Sequence, residues 1–165
     1  MIKILFVCQG NICRSPMAEF VMKNMVKEQA AALAKVGLRE QDFEIASAAT
    51  STEEIGNPVY PPVRRLLAGH HIDCSHKRAR QMAPQDFDYY DYIVAMDHYN
   101  LQNMRWILPG SPNKSSTKKV SLLMDYTNRP GDVADPWYTR DFNATWIDIC
   151  EGCSGLLKNI LSHFC

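Results

Sequence analysis

The chain has 165 residues, enough for one ordinary domain that buries a real core without covalent staples. Hydrophobic residues make up 46% and charged residues 22%, which is globular composition. Lys+Arg and Asp+Glu both total 18, which argues against a general polyanion binder and leaves no nucleic-acid partner implied.

The N-terminal run Met1 to Val7 is too short for the apolar region of a signal peptide with its flanks, and no later run is long enough to span a bilayer. The expectation is a soluble, cytoplasmic protein with no membrane partner. Six cysteines could form three disulfides, but such a chain has no need of them, and reduced thiols are expected.

Ile4 to Val7 reads as a strand buried on both faces. After Gly10-Asn11, Ser15 suits a helix N-cap, Pro16 the first helical position and Glu19 the first turn near the positive dipole end. Met17, Phe20, Val21 and Met25 recur at helical spacing, predicting a helix from Pro16 to about Lys35, with Gly37 near its end. Phe43 to Ser47 reads as a second strand, Val63 to Gly69 as a helix after the prolines at 58, 61 and 62, and Tyr92 to Met96 as a third strand. A helix near His98 to Trp106 ends before Pro109-Gly110. Ser111 to Lys118 is polar surface loop, Lys118-Lys119 a solvated positive face, Val120 to Leu123 a fourth strand, and Arg140 to about Ser162 the last helix. This alternation predicts a single α/β domain over residues 1–165, a doubly wound parallel four-stranded sheet flanked by helices. Ligands of such sheets bind beyond the carboxyl ends of the strands, which points to the loop after the first strand.

That loop is Cys8-Gln9-Gly10-Asn11-Ile12-Cys13-Arg14-Ser15. It places a thiol just past a buried strand, a glycine that frees the backbone, and a helix N-terminus at once afterwards. Inward-turned N–H groups and the helix dipole make such a loop an anion-binding nest. Five residues separate Cys8 from Arg14. The loop can therefore nearly close, and the planar guanidinium can return to hold two phosphoryl oxygens. The same N–H donors favour a thiolate, placing Cys8 for in-line attack on phosphorus. Ser15 is either the helix cap or a hydroxyl donor to the sulfur. An aryl ester also needs a proton for its leaving oxygen. Of eleven aspartates, Asp135 is singled out by Pro136, which biases it toward extended backbone and stiffens the loop beyond the fourth strand. Cys150 and Cys153 have CxxC spacing without a second pair, and His70-His71 read as surface, so no metal site is expected.

Val7-Cys8-Gln9-Gly10-Asn11-Ile12-Cys13-Arg14-Ser15-Pro16 resembles the signature of the low-molecular-weight protein tyrosine phosphatases. Further matching segments follow in order: Ser47-Ala48-Ala49, His76 to Arg80, Met96-Asp97 and Asp135-Pro136-Trp137-Tyr138. The resemblance implies a cofactor-free hydrolysis of phosphotyrosine and aryl phosphate monoesters through a phosphocysteine intermediate, acting on a tyrosine-phosphorylated protein or peptide. It makes Asp135 first the acid, then the base. It makes the loop residues Gln9, Gly10, Asn11, Ile12 and Cys13, with Trp137 and Tyr138, the binding surface, although Trp137 also reads as an aromatic covering a core edge. It puts Ser47 and His76 with Asn11 in a network bracing the loop, and makes Cys13 a redox partner of Cys8. Two departures stand out. Glu53, with Glu54 beside it, occupies the substrate-wall position where the family often has an aromatic residue, and Thr139 replaces a common glycine.

Three other readings compete. An arsenate reductase on the same scaffold needs two further cysteines close together in mid-chain, where only Cys74 lies. Protein arginine phosphatases resemble this chain but carry threonine at the position of Ile12. A non-catalytic phosphoprotein-binding module would lack the nucleophile or the acid, and both are present. The sequence leaves the oligomeric state open.

Overall fold

The computed structural model describes residues 1–108 and 119–165; the expected Ser111–Lys118 loop and the Pro109-Gly110 helix stop lie outside the described residues. Four strands, β1 (Ile2–Cys8), β2 (Phe43–Ala49), β3 (Tyr92–Ala95) and β4 (Val120–Leu122), form one parallel sheet in the order β2-β1-β3-β4. Side chains of β1 alternate between two cores. Ile4, Phe6 and Cys8 face one, with α1 (Arg14–Glu28) and α7 (Phe142–Ser162); Leu5 and Val7 face the other, with Met104 and Leu108 at the end of α5 (His98–Ile107). Ile4, Leu5, Phe6 and Val7 are fully buried, and each stabilises the fold by about 1.5–3 kcal/mol. From central β1 the chain winds to β2 on one side and β3 on the other, so the loop after β1 opens at the topological switch point of the sheet.

The expected strands and long helices are present, with informative differences at their ends. The first helix begins at Arg14 with Cys13 as its N-cap and makes no side-chain cap bond. Ser15 is therefore not the cap; its hydroxyl is turned toward Cys8. Glu19 is not in the first turn but buried, bonded to Ser47 and Lys77. The helix expected to reach Lys35 is interrupted at Gln29, and α2 (Ala30–Lys35) follows. Beyond Val26 only Leu33 reaches the core, so little packing holds the second half in line with the first.

The second strand runs on to Ala49, and the helix α3 (Pro61–Gly69) has a proline at its first position. The third strand ends at Ala95, while Leu123 leaves the fourth for a 3₁₀ turn (Leu123–Tyr126). Two short helices, α4 (Asp86–Tyr89) and α6 (Pro136–Thr139), carry too few residues for their periodicity to be read. The last helix begins at Phe142, not Arg140, because Asp141 caps it through Ala144 N–H and Arg140 adopts a left-handed conformation at φ 60°. Lys119 is not simply solvated: its ammonium donates to the Phe87 carbonyl at 2.9 Å.

Candidate active site

The loop from Cys8 to Arg14 wraps around the Cys8 sulfur. Asn11 N–H and Ser15 N–H point to Sγ at 3.3 and 3.4 Å, and the Ser15 hydroxyl lies 3.0 Å away. Among the described residues the N–H groups of Gly10, Ile12 and Cys13 have no protein partner, which leaves them for an anion. The conformational freedom expected of Gly10 is used instead by Asn11, which takes φ 59°. An asparagine tolerates that region when its amide is bonded. Here Nδ2 donates to Ser15 Oγ at 2.8 Å and to Ser47 Oγ at 2.9 Å, and Oδ1 accepts from Arg80 N–H at 3.1 Å. Gly10 has another use: an added Cβ would meet Glu54 Cγ at 3.4 Å, so the side chain of Glu54 lies against the loop.

Behind Asn11 the bonds have a direction. Glu19 Oε1 accepts from the Ser47 hydroxyl at 2.6 Å, so Ser47 Oγ is left to accept from Asn11. Ser15 Oγ likewise accepts from Asn11, and its own hydrogen is left for Sγ at 3.0 Å, the nearer of its two acceptors, with Ala48 O at 3.5 Å. Lys77 closes the far end, donating to Ser47 O at 2.9 Å and pairing with Glu19 at 3.3 Å. Burial holds the Lys77 pKa below the ordinary lysine value, against the pull of Glu19.

The expected bracing role of His76 is corrected. His76 is exposed, its ring edge-on to Phe20 with the centroids 5.6 Å apart, and Lys77 one residue later faces the network. Residues 77–81 run beside the loop in extended register, pairing Ala49 with Gln81, and this alternation turns Lys77 inward and His76 out. Nothing in the sequence signalled the pairing of Glu19 with Lys77, since the two are distant in the chain.

Arg14 is buried, and its fork is aimed by groups at the ends of β3 and the segment before α6. Nη1 donates to Asp97 Oδ2 at 2.6 Å and to Val133 O at 2.9 Å, and Nη2 to Asp135 Oδ2 at 3.4 Å. Burial opposes the charge on Arg14, yet Cys8, Asp97 and Asp135 together raise its pKa above the ordinary value. Asp97 was missed as a site residue. Its signal was its place straight after a buried strand at the same sheet edge, three residues before Asn100, whose N–H it caps at 2.8 Å. Asp135 has the expected extended backbone, with φ −79° and ψ 113°. Oδ1 caps Trp137 N–H at 3.0 Å, leaving Oδ2 toward the cavity and Arg14.

These groups line a cavity of about 130 Å³, with Cys8, Ile12 and Cys13 toward the loop, Glu53 and Glu54 on one wall, and Trp137 and Tyr138 on the other. Gln9 lines it too, its carbonyl accepting from Ser51 N–H and hydroxyl. Trp137 is 42% exposed and does not merely cover a core edge: its ring packs 4.9 Å from Tyr60. Arg140 braces that wall, donating to Tyr60 Oη at 2.7 Å with its guanidinium 5.6 Å from the Trp137 ring. The Cys13 thiol is pushed up by burial and by neighbouring Cys8. All six cysteines are free thiols. Among the described residues no group of three His, Cys, Asp or Glu could hold a metal ion. A sulfur ringed by amide hydrogens, a fixed guanidinium and a facing carboxylate can bind a tetrahedral dianion, attack it and protonate what leaves.

Comparison with known proteins agrees. Residues 3–163 match the family model described as low molecular weight phosphotyrosine protein phosphatase. The low molecular weight protein-tyrosine-phosphatase YfkJ of Bacillus subtilis is 39% identical over 162 residues, covering 97% of this chain and 96% of the relative. The crystal structure of YfkJ superposes with a TM-score of 0.86, 34% identity, and coverage of 99% of this chain and 96% of that one. A Drosophila arginine phosphatase shares the scaffold at TM-score 0.80 and 33% identity, covering 96% and 98%. The chain belongs to the low molecular weight phosphotyrosine protein phosphatases, phosphoric monoester hydrolases built on this four-stranded parallel sheet.

Proposed function

We propose that the chain dephosphorylates tyrosine-phosphorylated proteins through a phosphocysteine intermediate, with Cys8 as nucleophile. The observation that carries this reading is the ring of donors around Cys8 Sγ, with Arg14 held beside it. The loop N–H groups and the Arg14 fork hold the phosphoryl oxygens, and Cys8 Sγ attacks phosphorus in line with the tyrosyl oxygen. The S–P bond forms as the P–O bond to tyrosine breaks, and Asp135 Oδ2 gives its proton to the departing phenolate. In the second step Asp135 takes a proton from water, the water oxygen bonds to phosphorus, and the S–P bond breaks. The Ser15 hydroxyl stabilises the thiolate that leaves. Trp137 and Tyr138 flank the substrate ring.

Ile12 is buried and apolar at the cavity, which suits an aromatic ester and offers no hydroxyl to a phosphorylated guanidinium. Greater turnover of phosphoarginine than of phosphotyrosine would overturn that choice. Six free cysteines, one of them acting as a thiolate, suit the reducing cytoplasm. Cys8→Ser tests the whole reading: turnover of an aryl phosphate is expected to fall by about 10⁴ or more, while inorganic phosphate or vanadate still binds. Wild-type rates in Cys8→Ser would refute it.

A further inference from the structure

The cavity has an uneven distribution of charge. Arg14 is the one cation among the described residues lining it, and it lies with the phosphate loop. Glu53 is exposed, and Glu54 is half-buried against Gly10, its carboxylate accepting among the described residues only from a neutral partner, Asn57 Nδ2 at 2.6 Å. Among the described residues neither carboxylate has an ion-pair partner. The field of Glu54 reaches into the loop, where it helps to push the Cys13 thiol up. Across the cavity Tyr138 is 75% exposed, and its ring has no ring or cation partner among the described residues. An open aromatic face attracts cations, so the Tyr138 ring shares the preference of the glutamates, while the cation of that wall, Arg140, is engaged with Tyr60 and Trp137.

We propose that the site selects phosphotyrosines flanked by lysine or arginine, with Glu53, Glu54 and the Tyr138 ring as the specificity-determining groups. This rests on the phosphotyrosine reading above. The phosphate itself is met by the loop and Arg14, whereas the neighbouring peptide residues meet the rim. Acidic neighbours are repelled there and basic ones drawn in, by an interaction that salt screens.

The test uses two phosphotyrosine peptides of equal length, one with lysine and one with glutamate around the phosphotyrosine. At about 0.01 M salt the basic peptide is expected to have roughly tenfold higher kcat/KM, narrowing to about twofold near 0.5 M. Glu53→Gln combined with Glu54→Gln should remove most of that ratio without changing side-chain size, and Glu53→Lys should lower it further. Equal hydrolysis of the two peptides by the wild type, or a ratio untouched by the glutamine variant, would overturn the inference while leaving the phosphotyrosine reading intact. Hydrolysis of neither peptide, with aryl phosphate still turned over, would remove both.

Discussion

The phosphate loop is supported from two sides that are built differently. Behind it, Asn11, Ser15 and Ser47 are almost wholly buried with Glu19, and each bond fixes the direction of the next until the Ser15 hydrogen is left for Cys8. In front of it, Glu53, Trp137, Tyr138 and Arg140 are all exposed, and only Trp137 and Arg140 among them are tied, by ring contacts and one hydrogen bond, to Tyr60 among the described residues. A buried polar chain tolerates little change, because a lost partner leaves a desolvated group unpaired. An exposed wall keeps water as an alternative partner. The rear is therefore suited to fix the chemistry, and the front can change with the substrate.

The largest effect expected from breaking this division lies where the two sides meet. Asp135→Ala should lower kcat/KM, which reports the first step, on phosphotyrosine by about 10²–10⁴, and much less on aryl phosphates with good leaving groups. A loss of kcat/KM that is uniform across leaving groups would mean that Asp135 only positions Arg14. Next comes the rear. Lys77→Met leaves Glu19 with Lys23 and Ser47 alone, and should cost about 2 kcal/mol of stability and about tenfold in kcat, with KM nearly unchanged. A change in peptide preference without a loss of kcat would contradict the division.

Burial of the cysteines sharpens the same contrast through pH. It raises Cys150 from 9.0 to about 11, and raises Cys13 and Cys153 as well. As pH climbs, the unfolded chain loses these protons first. The stability they contribute is fully present below pH 9.0 and is lost as pH rises through the folded values. Thermal melts should show Tm falling from about pH 9 upward, and less steeply in Cys150→Ser. A Tm that does not fall would place these thiols in water. The smallest effect belongs to the front wall: Arg140→Ala should raise KM about threefold and leave kcat alone, since an exposed cation–π contact is worth about 0.5–1 kcal/mol.

Legibility in the sequence followed the same division by distance. The loop from Cys8 to Ser15 lies in one contiguous segment between an apolar run and a helix, so its chemistry could be read locally. Asp135 was marked by the adjacent Pro136. The pairs Glu19 with Lys77 and Arg14 with Asp97 join positions far apart in the chain, and only the register of the sheet and of the segment beside β2 brings them together. His76 shows how sharp that limit is. The right segment was identified, but a single residue of alternation decides which side chain faces inward. Helix ends failed where a tertiary partner claimed the capping residue, as Cys8 claims Ser15, or where a backbone turn at Arg140 let Asp141 take the role.

The most direct test of the account is to look for phosphorus on Cys8. Asp135→Ala should accumulate the intermediate with a good leaving group, because the base for the second step is gone. Rapid quenching and mass spectrometry of the Cys8 peptide should then show one added phosphoryl group, absent from Cys8→Ser. Steady turnover of the substrate with no phosphoryl group on that cysteine at any time would mean that water attacks phosphorus directly, and would contradict the account.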